Sequence, residues 1–427
     1  MTTTFFANPQ AIRAPYSDAL QLIISVARAD ESRRWLAQWP VLSREPTPLW
    51  HLPDLAARIG IAQLAIKDES KRASLGSFKA LGAPIALARL ILRLPVAQAW
   101  HAADLFAGRH AQALDGFTVI SATDGNHGRA LAAAAQSIGC RCTIVIHRHV
   151  SEEREASIAA LGAQVVRIEG NYDASVEEAA RLAAQNGWHV VSDTSWDGYE
   201  EIPRDVMQGY GTIAAEALEQ STAEQKPADG TCPFTHVLLQ GGVGGLAAGI
   251  VSYFTEIWGA RRPTFIVVEP QQADCLLQSA LAQRAAHATG SVDSVMAGLA
   301  CGAASPLAWR FLAESVDAFM TVTDDEAVHA MRVVADGSAR DVPIVGGESG
   351  VAGLAGLLAL ARDTDTASRE RVALDASSRV LLINTEGATA PSVYCELVGR
   401  SADDVLAAQH RHVTRQAQQA QQQQSQQ

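Results

Sequence analysis

Lys79 lies in the stretch SFKALG (77–82), where an aromatic ring and small residues surround it rather than other charges. A lysine beside Phe78 loses part of its hydration, which lowers the pKa of its amine and leaves that amine nucleophilic. A nucleophilic amine of this kind forms imines with aldehydes. The stretch is also compatible with an ordinary helical lysine whose aliphatic stem packs on Phe78.

A glycine-rich turn, QGGVGGLAAG (240–249), follows the apolar run HVLLQ and leads into a helical segment. Its glycines let the backbone turn tightly and aim its amides at an anion, and the positive end of the helix dipole strengthens that preference. The turn lacks the Lys-Ser/Thr ending of a P-loop and the spacing of a dinucleotide fingerprint, so it favours a small cofactor phosphate over ATP. A tight packing turn is the alternative. The predicted phosphate-binding residues are Gly241, Gly242, Val243, Gly244 and Gly245.

A third motif, SATDGNHGRALA (121–132), again reads as a strand, a turn and the start of a helix. It gathers Asp124, Asn126 and His127 at the carboxyl end of a strand, where open α/β sheets bind their ligands. Asn126 can donate and accept hydrogen bonds, which suits an oxygen on a cofactor ring. Helix capping by Asp124 or Asn126 is the alternative, and we expect His127 to pack or cap rather than to catalyse.

The three motifs together indicate one cofactor. A lysine that forms an imine, a turn that binds a phosphate and an asparagine that binds a ring oxygen are the contacts that pyridoxal 5'-phosphate requires. An enzyme of nucleotide phosphates would use only the glycine turn. It would leave Lys79 and the DGNHG turn unexplained.

The elements that must position these residues follow an alternating pattern. Short β-branched runs precede alanine-rich helical runs, as in FTVISAT before GRALAAAAQSIG and CTIVIH before EEREASIAALG. Buried strands followed by amphipathic helices predict an α/β fold with mainly parallel twisted sheets flanked by helices. The polar segments 221–233 and 284–294 interrupt the pattern and are expected to be surface insertions.

The length of the chain predicts two domains or one large α/β unit, because 427 residues exceed one ordinary core. We expect residues 1–85 and 201–410 to form a large cofactor-binding domain, into which a smaller α/β domain (86–200) is inserted. The glutamine-rich tail, residues 411–427, cannot bury enough apolar surface to fold alone and is expected to be disordered.

Composition excludes several classes of partner. The net charge of −12 repels phosphates and argues against nucleic acid or an anionic membrane. No apolar run reaches the roughly 18 residues of a membrane helix, and the amino terminus does not resemble a secretory signal. The six cysteines are scattered without zinc-type spacing, so we expect no metal site, reduced thiols and a cytoplasmic location.

The motifs resemble the fold-type II pyridoxal-phosphate family, which includes threonine dehydratase, threonine synthase and cysteine synthase. They fall in the order of that family and span nearly the whole chain except the tail. They are EPTPLW (45–50), IKDES (66–70), SFKALG (77–82), DGNHG (124–128) and GGVGG (241–245). The resemblance implies a homodimer with an amino acid substrate.

Longer blocks resemble the diaminopropionate ammonia-lyase branch of that family. They are KDESKRASLGSFKALG, TDGNHGRALA, GNYDASVEEA, SDTSWDGYEEIPRDVMQGYGT, MAGLACG, GGESGVAGL and NTEG. The DTSWDGY block and Asp124 are the most specific, because threonine dehydratases usually carry a small residue where Asp124 stands. The resemblance implies α,β-elimination of 2,3-diaminopropionate, in L and D forms, to pyruvate and ammonia.

The resemblance also implies a role for individual residues. Lys79 would carry the cofactor beside Phe78 and act as the base for the L isomer, and Asp124 would be the base for the D isomer. Asp193 would hold the β-ammonium of the substrate or assist proton transfer, with a loop cap beside Thr194 as the alternative.

The pyridine nitrogen of the cofactor is expected to face the turn after LLIN, with Thr385 as the first candidate and Asn384 as the second. Glu348, in GGESG, is expected either near the ring or in a purely structural position.

Two other functions are compatible with the same motifs. One is a serine/threonine dehydratase-like lyase that acts on hydroxy amino acids. The other is a non-catalytic relative that binds a ligand, although an intact lysine, glycine turn and both aspartates argue against it.

Overall fold

The computed structural model describes residues 4–123, 125–148, 150–170, 172–224, 230–362 and 366–425. Asp124, predicted as the base for the D isomer, therefore lies outside the described residues. Within the described residues no helix is long and apolar enough to cross a membrane.

Strands and helices alternate along the described chain. The strands are β1 (Phe5–Ala7), β2 (Leu49–His51), β3 (Gln63–Asp68), β4 (Thr118–Ala122), β5 (Arg141–His147), β6 (Gln164–Ile168), β7 (His189–Val190), β8 (His236–Gln240), β9 (Thr264–Pro270), β10 (Ala318–Val322) and β11 (Arg379–Asn384). The first helices are α1 (Asp18–Gln21), α2 (Val26–Leu36), α3 (Pro53–Ile59), α4 (Ala83–Leu92), α5 (Ala102–Phe106), α6 (Asn126–Ile138), α7 (Glu152–Ala159), α8 (Tyr172–Asn186) and α9 (Glu201–Glu224).

The remaining helices follow β8. They are α10 (Gly245–Trp258), α11 (Cys275–Ala282), α12 (Pro306–Ser315), α13 (Asp324–Asp336), α14 (Ala352–Leu360), α15 (Thr366–Arg371), α16 (Pro391–Val398) and α17 (Ala402–Ser425). Short 3₁₀ turns lie at Glu69–Lys71, Ala73–Leu75, Phe78–Leu81, Pro95–Ala97, Ala111–Leu114, Gly259–Arg261 and Ala297–Leu299.

Two sheets form the framework of the described chain. The larger has seven strands in the order β1-β10-β9-β8-β11-β3-β2, and the smaller has four in the order β6-β5-β4-β7. Among the strands of the described residues, the edge pairs β1–β10 and β2–β3 are antiparallel and the other pairs are parallel. The predicted α/β fold with mainly parallel sheets is confirmed.

Both faces of the large sheet are covered, which explains why its strands read as continuous apolar runs. In β8, Val237 and Leu239 point into one buried cluster while Leu238 points into another. The first cluster also includes the apolar faces of α4, α9 and α10, and the second includes those of α13 and α14. The sequence expectation for the domain boundaries stays a prediction.

The described part of the glutamine-rich tail is helical, while its expected disorder stays a prediction. Helix α17 begins on residues that pack against the protein, including buried Val405, and the side chain of Gln409 donates to the Pro343 carbonyl at 2.8 Å. It then continues through the glutamine run to Ser425. Glutamine is a good helix former, so an anchored first turn can propagate where an isolated segment would not fold.

Candidate active site

A cavity of about 610 Å³ lies where the ends of the two sheets meet. The large-sheet side contributes Lys79, the glycine turn and Thr385, and the small-sheet side contributes Asn126 and Asp193. The three motifs that the sequence singled out are therefore brought together by the fold. This is the carboxyl-end position at which open parallel sheets bind ligands.

Lys79 lies on the 3₁₀ turn Phe78–Leu81, which follows strand β3. This turn is tied to the end of β11, because the Phe78 amide donates to the Thr385 carbonyl at 3.0 Å and Ser77 bridges to Glu386. The Lys79 ammonium is 5.2 Å from the centroid of the Phe78 ring. The aromatic neighbour predicted for this lysine is present and its side chain is 17% exposed, but the fold also brings a charge, Asp193, that the local sequence did not indicate.

Asp193 forms an ion pair with Lys79, in which the lysine Nζ donates to the aspartate Oδ2. Nδ1 of His127 lies 3.9 Å from the same oxygen, and Nε2 of that buried histidine is 2.8 Å from the Val191 carbonyl. Burial by itself raises the pKa of Asp193, but the charges of Lys79 and His127 outweigh it and hold the pKa well below its usual range. While it is paired with the Lys79 ammonium, Asp193 is therefore ionised at neutral pH.

Asn126 begins helix α6 and reaches across to the large-sheet side, where its side-chain amide donates to Glu386 Oε2. The Glu386 carboxylate is buried and also accepts from the Ser349 amide at 3.2 Å and the Thr389 hydroxyl at 3.3 Å. Sequence reasoning did not single out Glu386. It fixes the asparagine at the cavity wall.

Thr385 and Asn384, the two candidates for the pyridine nitrogen, have different surroundings. Thr385 is buried and lines the cavity. The Asn384 side chain instead donates to Asp68 Oδ1 at 2.8 Å and to the Val345 carbonyl at 3.0 Å, outside the cavity wall. The geometry favours Thr385 as the partner of the pyridine nitrogen, because the side-chain amide of Asn384 already donates two hydrogen bonds elsewhere.

The glycine turn presents backbone donors to the cavity. No hydrogen bond within the described residues uses the N–H groups of Gly242, Val243, Gly244 or Gly245. Gly244, at φ +99°, directly precedes the first residue of α10, and all four residues line the cavity. Unpaired amides at the positive end of a helix form a ready anion site.

Gly241 has a packing role instead. Its amide donates to the Val268 carbonyl at 2.8 Å, and a Cβ built on it would lie 2.5 Å from the Glu269 side chain. This glycine does not line the cavity. It lets the turn lie close against strand β9.

Several lining residues were missed by sequence reasoning. Ser291 to Ser294 belong to a segment expected to be a surface insertion, yet they form part of the cavity wall. Arg154, on α7, also lines the cavity, and its guanidinium donates to Glu348 Oε1 at 2.6 Å. The segment 291–294 gave no signal, because polar loop residues carry no periodicity that distinguishes a cavity wall from a surface.

Glu348 is placed by this pair behind the cavity wall, in the structural position that was one of its two alternatives. Its side chain is 2% exposed. Burial, and then the nearby Glu386 carboxylate, raise the pKa of Glu348 to about 7, although the charge of Arg154 opposes them. The pair links the small-sheet side of the cavity to the large-sheet side.

The fold and cavity are those of an α/β protein in which a largely buried lysine and a turn with open backbone amides line one cavity at adjoining sheet ends. The family model described as pyridoxal-phosphate dependent enzyme matches residues 42–383. The chain belongs to this family, and it has the fold-type II architecture.

Known proteins that match this chain over most of their own length are also found. The chain is 38% identical over 357 residues to a diaminopropionate ammonia-lyase of Escherichia coli strain K12, covering 83% of this chain and 87% of the relative. A crystal structure of the Escherichia coli lyase with an aminoacrylate-PLP azomethine reaction intermediate superposes with a TM-score of 0.82 at 34% identity. A complex of that lyase with D-serine gives 0.82 at 35% identity, and both alignments cover 93% of this chain and 97% of the other.

The residues present fit the cofactor of this family. The open amides of the glycine turn match a phosphate, Lys79 matches an aldehyde, and the cavity between them is large enough for a ring with an amino acid. Pyridoxal phosphate is the cofactor of this enzyme.

Proposed function

We propose that this enzyme converts 2,3-diaminopropionate, in both L and D forms, to pyruvate and ammonia by α,β-elimination. One observation carries the proposal: an aspartate that stays ionised, Asp193, is paired with Lys79 inside the cofactor cavity. A β-ammonium group on the substrate would find a fixed negative charge there, whereas a β-hydroxyl has less need of one. The likeness to the lyase of Escherichia coli supports the same reaction.

Lys79 is proposed to hold the cofactor and then, as a free amine, to remove the α-proton of the L isomer. Pyridoxal phosphate, when bound, supplies the electron sink that stabilises the carbanion left by that proton. The Lys79 ammonium is the partner of the Asp193 carboxylate in this structure, and the β-ammonium of the substrate would replace it there. The Phe78 ring beside Nζ limits access of water to the amine.

Asp193 is proposed to bind the β-ammonium and to assist its departure in the protonated form. Removal of the α-proton from the D isomer needs a base on the opposite face of the substrate, and Asp124 is proposed for that step. A carboxylate serves as the base only when it is ionised and within hydrogen-bond reach of the proton.

The residues proposed to hold the cofactor divide by the group that each contacts. The amides of Gly242, Val243, Gly244 and Gly245 would bind the phosphate, with Gly241 supporting their turn. Asn126 would bind the ring oxygen, and its side-chain amide would then leave the Glu386 carboxylate to which it now donates. The Thr385 hydroxyl would meet the pyridine nitrogen, and its neutral character would leave that nitrogen largely unprotonated.

Steady-state assays with L- and D-diaminopropionate, L- and D-serine and L-threonine test the proposal. The expected result is a kcat/KM for diaminopropionate that exceeds the values for the hydroxy amino acids. A preference for threonine or serine would instead support a dehydratase-like lyase. That alternative has a specific observation in its favour, because the Escherichia coli lyase has been crystallised with D-serine.

Assembly, location and domain division stay predictions from the sequence. We propose a homodimer in the cytoplasm, with residues 86–200 as the smaller domain. Light scattering on the purified protein tests the homodimer. Cell fractionation tests the cytoplasmic location, and limited proteolysis tests the domain division.

A further inference from the structure

Tyr210 carries a buried hydroxyl that none of the proposed roles uses. The residue lies on helix α9, is 1% exposed and lines the cavity. Its hydroxyl oxygen is shielded from solvent and has no hydrogen-bond partner within the described residues. A buried hydroxyl without a partner is costly, so a native structure that keeps one at a ligand cavity points to a partner that arrives later.

Glycines bring Tyr210 directly against the turn that carries Lys79. A Cβ built on Gly209 would lie 1.9 Å from the Leu81 carbonyl oxygen, so only glycine allows α9 to approach this closely. A Cβ on Gly82 would lie 2.7 Å from Cε1 of the tyrosine ring. The Tyr210 ring is therefore held against the lysine turn by backbone packing.

Phe78 also packs against the Tyr210 ring. The Phe78 and Tyr210 ring centroids are 4.8 Å apart with the planes tilted by 56°. The Lys79 ammonium lies over the same Phe78 ring. The Tyr210 ring and the Lys79 ammonium are therefore both neighbours of the Phe78 ring.

The electrostatic surroundings of the hydroxyl agree with this placement. Burial raises the pKa of Tyr210 far above its usual range, the charge of Lys79 lowers it and the charge of Asp193 raises it. The hydroxyl therefore stays protonated, and both members of the ion pair act on it. A neutral hydroxyl keeps a lone pair available for an ammonium donor.

We propose that Tyr210 is a positioning residue for Lys79 and that its hydroxyl oxygen accepts a hydrogen bond from the lysine ammonium. The contact would form when Lys79 leaves the cofactor and has taken up the α-proton of the substrate. It would hold Nζ on the face of the L isomer while the Asp193 carboxylate serves the β-ammonium. The inference rests on the proposed function, in which Lys79 is the base for the L isomer.

Tyr210→Phe tests the proposal, with Tyr394→Phe as the matched control. Tyr394 is also fully buried with an unpaired hydroxyl, but it lies on α16 and does not line the cavity. We expect Tyr210→Phe to retain its thermal midpoint and cofactor absorbance, and to lower kcat for the L isomer about 10- to 100-fold, the effect of losing one hydrogen bond to a charged group. KM should change little, the D isomer should be affected much less, and Tyr394→Phe should resemble the wild type.

A second measurement does not depend on turnover. The pKa of the Lys79 amine can be measured in the cofactor-free full chain by competitive acetylation across a pH series and mass spectrometry of the Lys79 peptide. In an Asp193→Asn background, where the carboxylate no longer holds the ammonium, loss of the Tyr210 hydroxyl as an acceptor should lower this pKa, whereas Tyr394→Phe should leave it unchanged. An unchanged pKa together with equal losses for both isomers would overturn the proposal. A wild-type enzyme inactive on diaminopropionate would refute the proposed function while leaving this amine measurement decisive for Tyr210.

Discussion

Lys79 and Asp193 form an ion pair on the cavity wall although 114 positions separate them in the chain. The lysine follows β3 of the seven-stranded sheet, and the aspartate follows β7 of the four-stranded sheet. The pair therefore depends on the docking of the two sheets. It places the Lys79 ammonium against the Asp193 carboxylate on the wall of the cavity.

Asp193→Asn should change substrate preference more than it changes folding. The amide keeps the shape of the side chain but removes the charge that the β-ammonium requires. We expect kcat/KM for diaminopropionate to fall roughly 10- to 100-fold more than kcat/KM for D-serine, which corresponds to one hydrogen bond between charged groups. Parallel assays with both substrates measure this ratio, and an equal loss for the two would assign Asp193 a role other than charge recognition.

Asp124→Asn should separate the two isomers. If Asp124 is the base for the D isomer only, kcat for D-diaminopropionate should fall by roughly 100-fold or more, a usual size for loss of general base catalysis. The L isomer should be much less affected, since Lys79 would serve it. Pyruvate release from each pure isomer measures the effect, and equal losses would show that Asp124 is not specific to one face.

Gly244→Ala should weaken both folding and cofactor binding. Alanine at φ +99° is strained by about 1–2 kcal/mol, and its Cβ would lie 3.1 Å from the Ala308 side chain. Because the shifted turn would also misdirect its amides, the apoprotein should need a higher concentration of pyridoxal phosphate in a fluorescence titration.

Gly187→Ala provides the control for backbone strain. Gly187 has φ +68° with nothing within 4 Å of a built Cβ, and it lies away from the cavity wall. This variant should lose stability without losing cofactor affinity. If both variants bind the cofactor like the wild type, the glycine turn does not hold the phosphate.

Glu348→Gln should flatten the dependence of stability on pH. The folded protein holds a proton on Glu348 up to a pKa of about 7, whereas the ordinary value is 4.5. The folded state thus binds more protons than the unfolded state in this window, so the free energy of unfolding falls as pH rises from 4.5 to about 7.

Calorimetric midpoints measured across that range should decline less steeply in Glu348→Gln than in the wild type. Glu178→Gln is the control, because Glu178 lies on the surface beside Arg181 and its pKa is lowered. It should leave the slope above pH 4.5 unchanged. An unaltered slope in Glu348→Gln would mean that another group takes up the proton.

Local patterns were sufficient to predict the fold class and the three motifs. Alternation of β-branched and alanine-rich runs gave the parallel sheets, because buried strands and amphipathic helices differ in hydrophobic period. The glycine turn was recognisable since its amides and the start of α10 are adjacent in sequence. Lys79 was recognisable because its immediate neighbours in the sequence are an aromatic residue and small residues.

The rest of the cavity depends on contacts between distant segments. Glu386 beside Asn126 and Arg154 beside Glu348 are separated by 260 and 194 positions, so no local pattern indicates them. The unpaired hydroxyl of Tyr210 becomes visible only when every neighbour is placed.

Reductive trapping at Lys79 tests the central claim most directly. Borohydride converts a covalent link between a lysine and the cofactor into a stable secondary amine, which peptide mass spectrometry can locate. The predicted result is a reduced cofactor on the peptide that contains Lys79, and no covalent cofactor in Lys79→Ala. A label on a different lysine, or a Lys79→Ala protein that is still labelled, would contradict the assignment of this cavity.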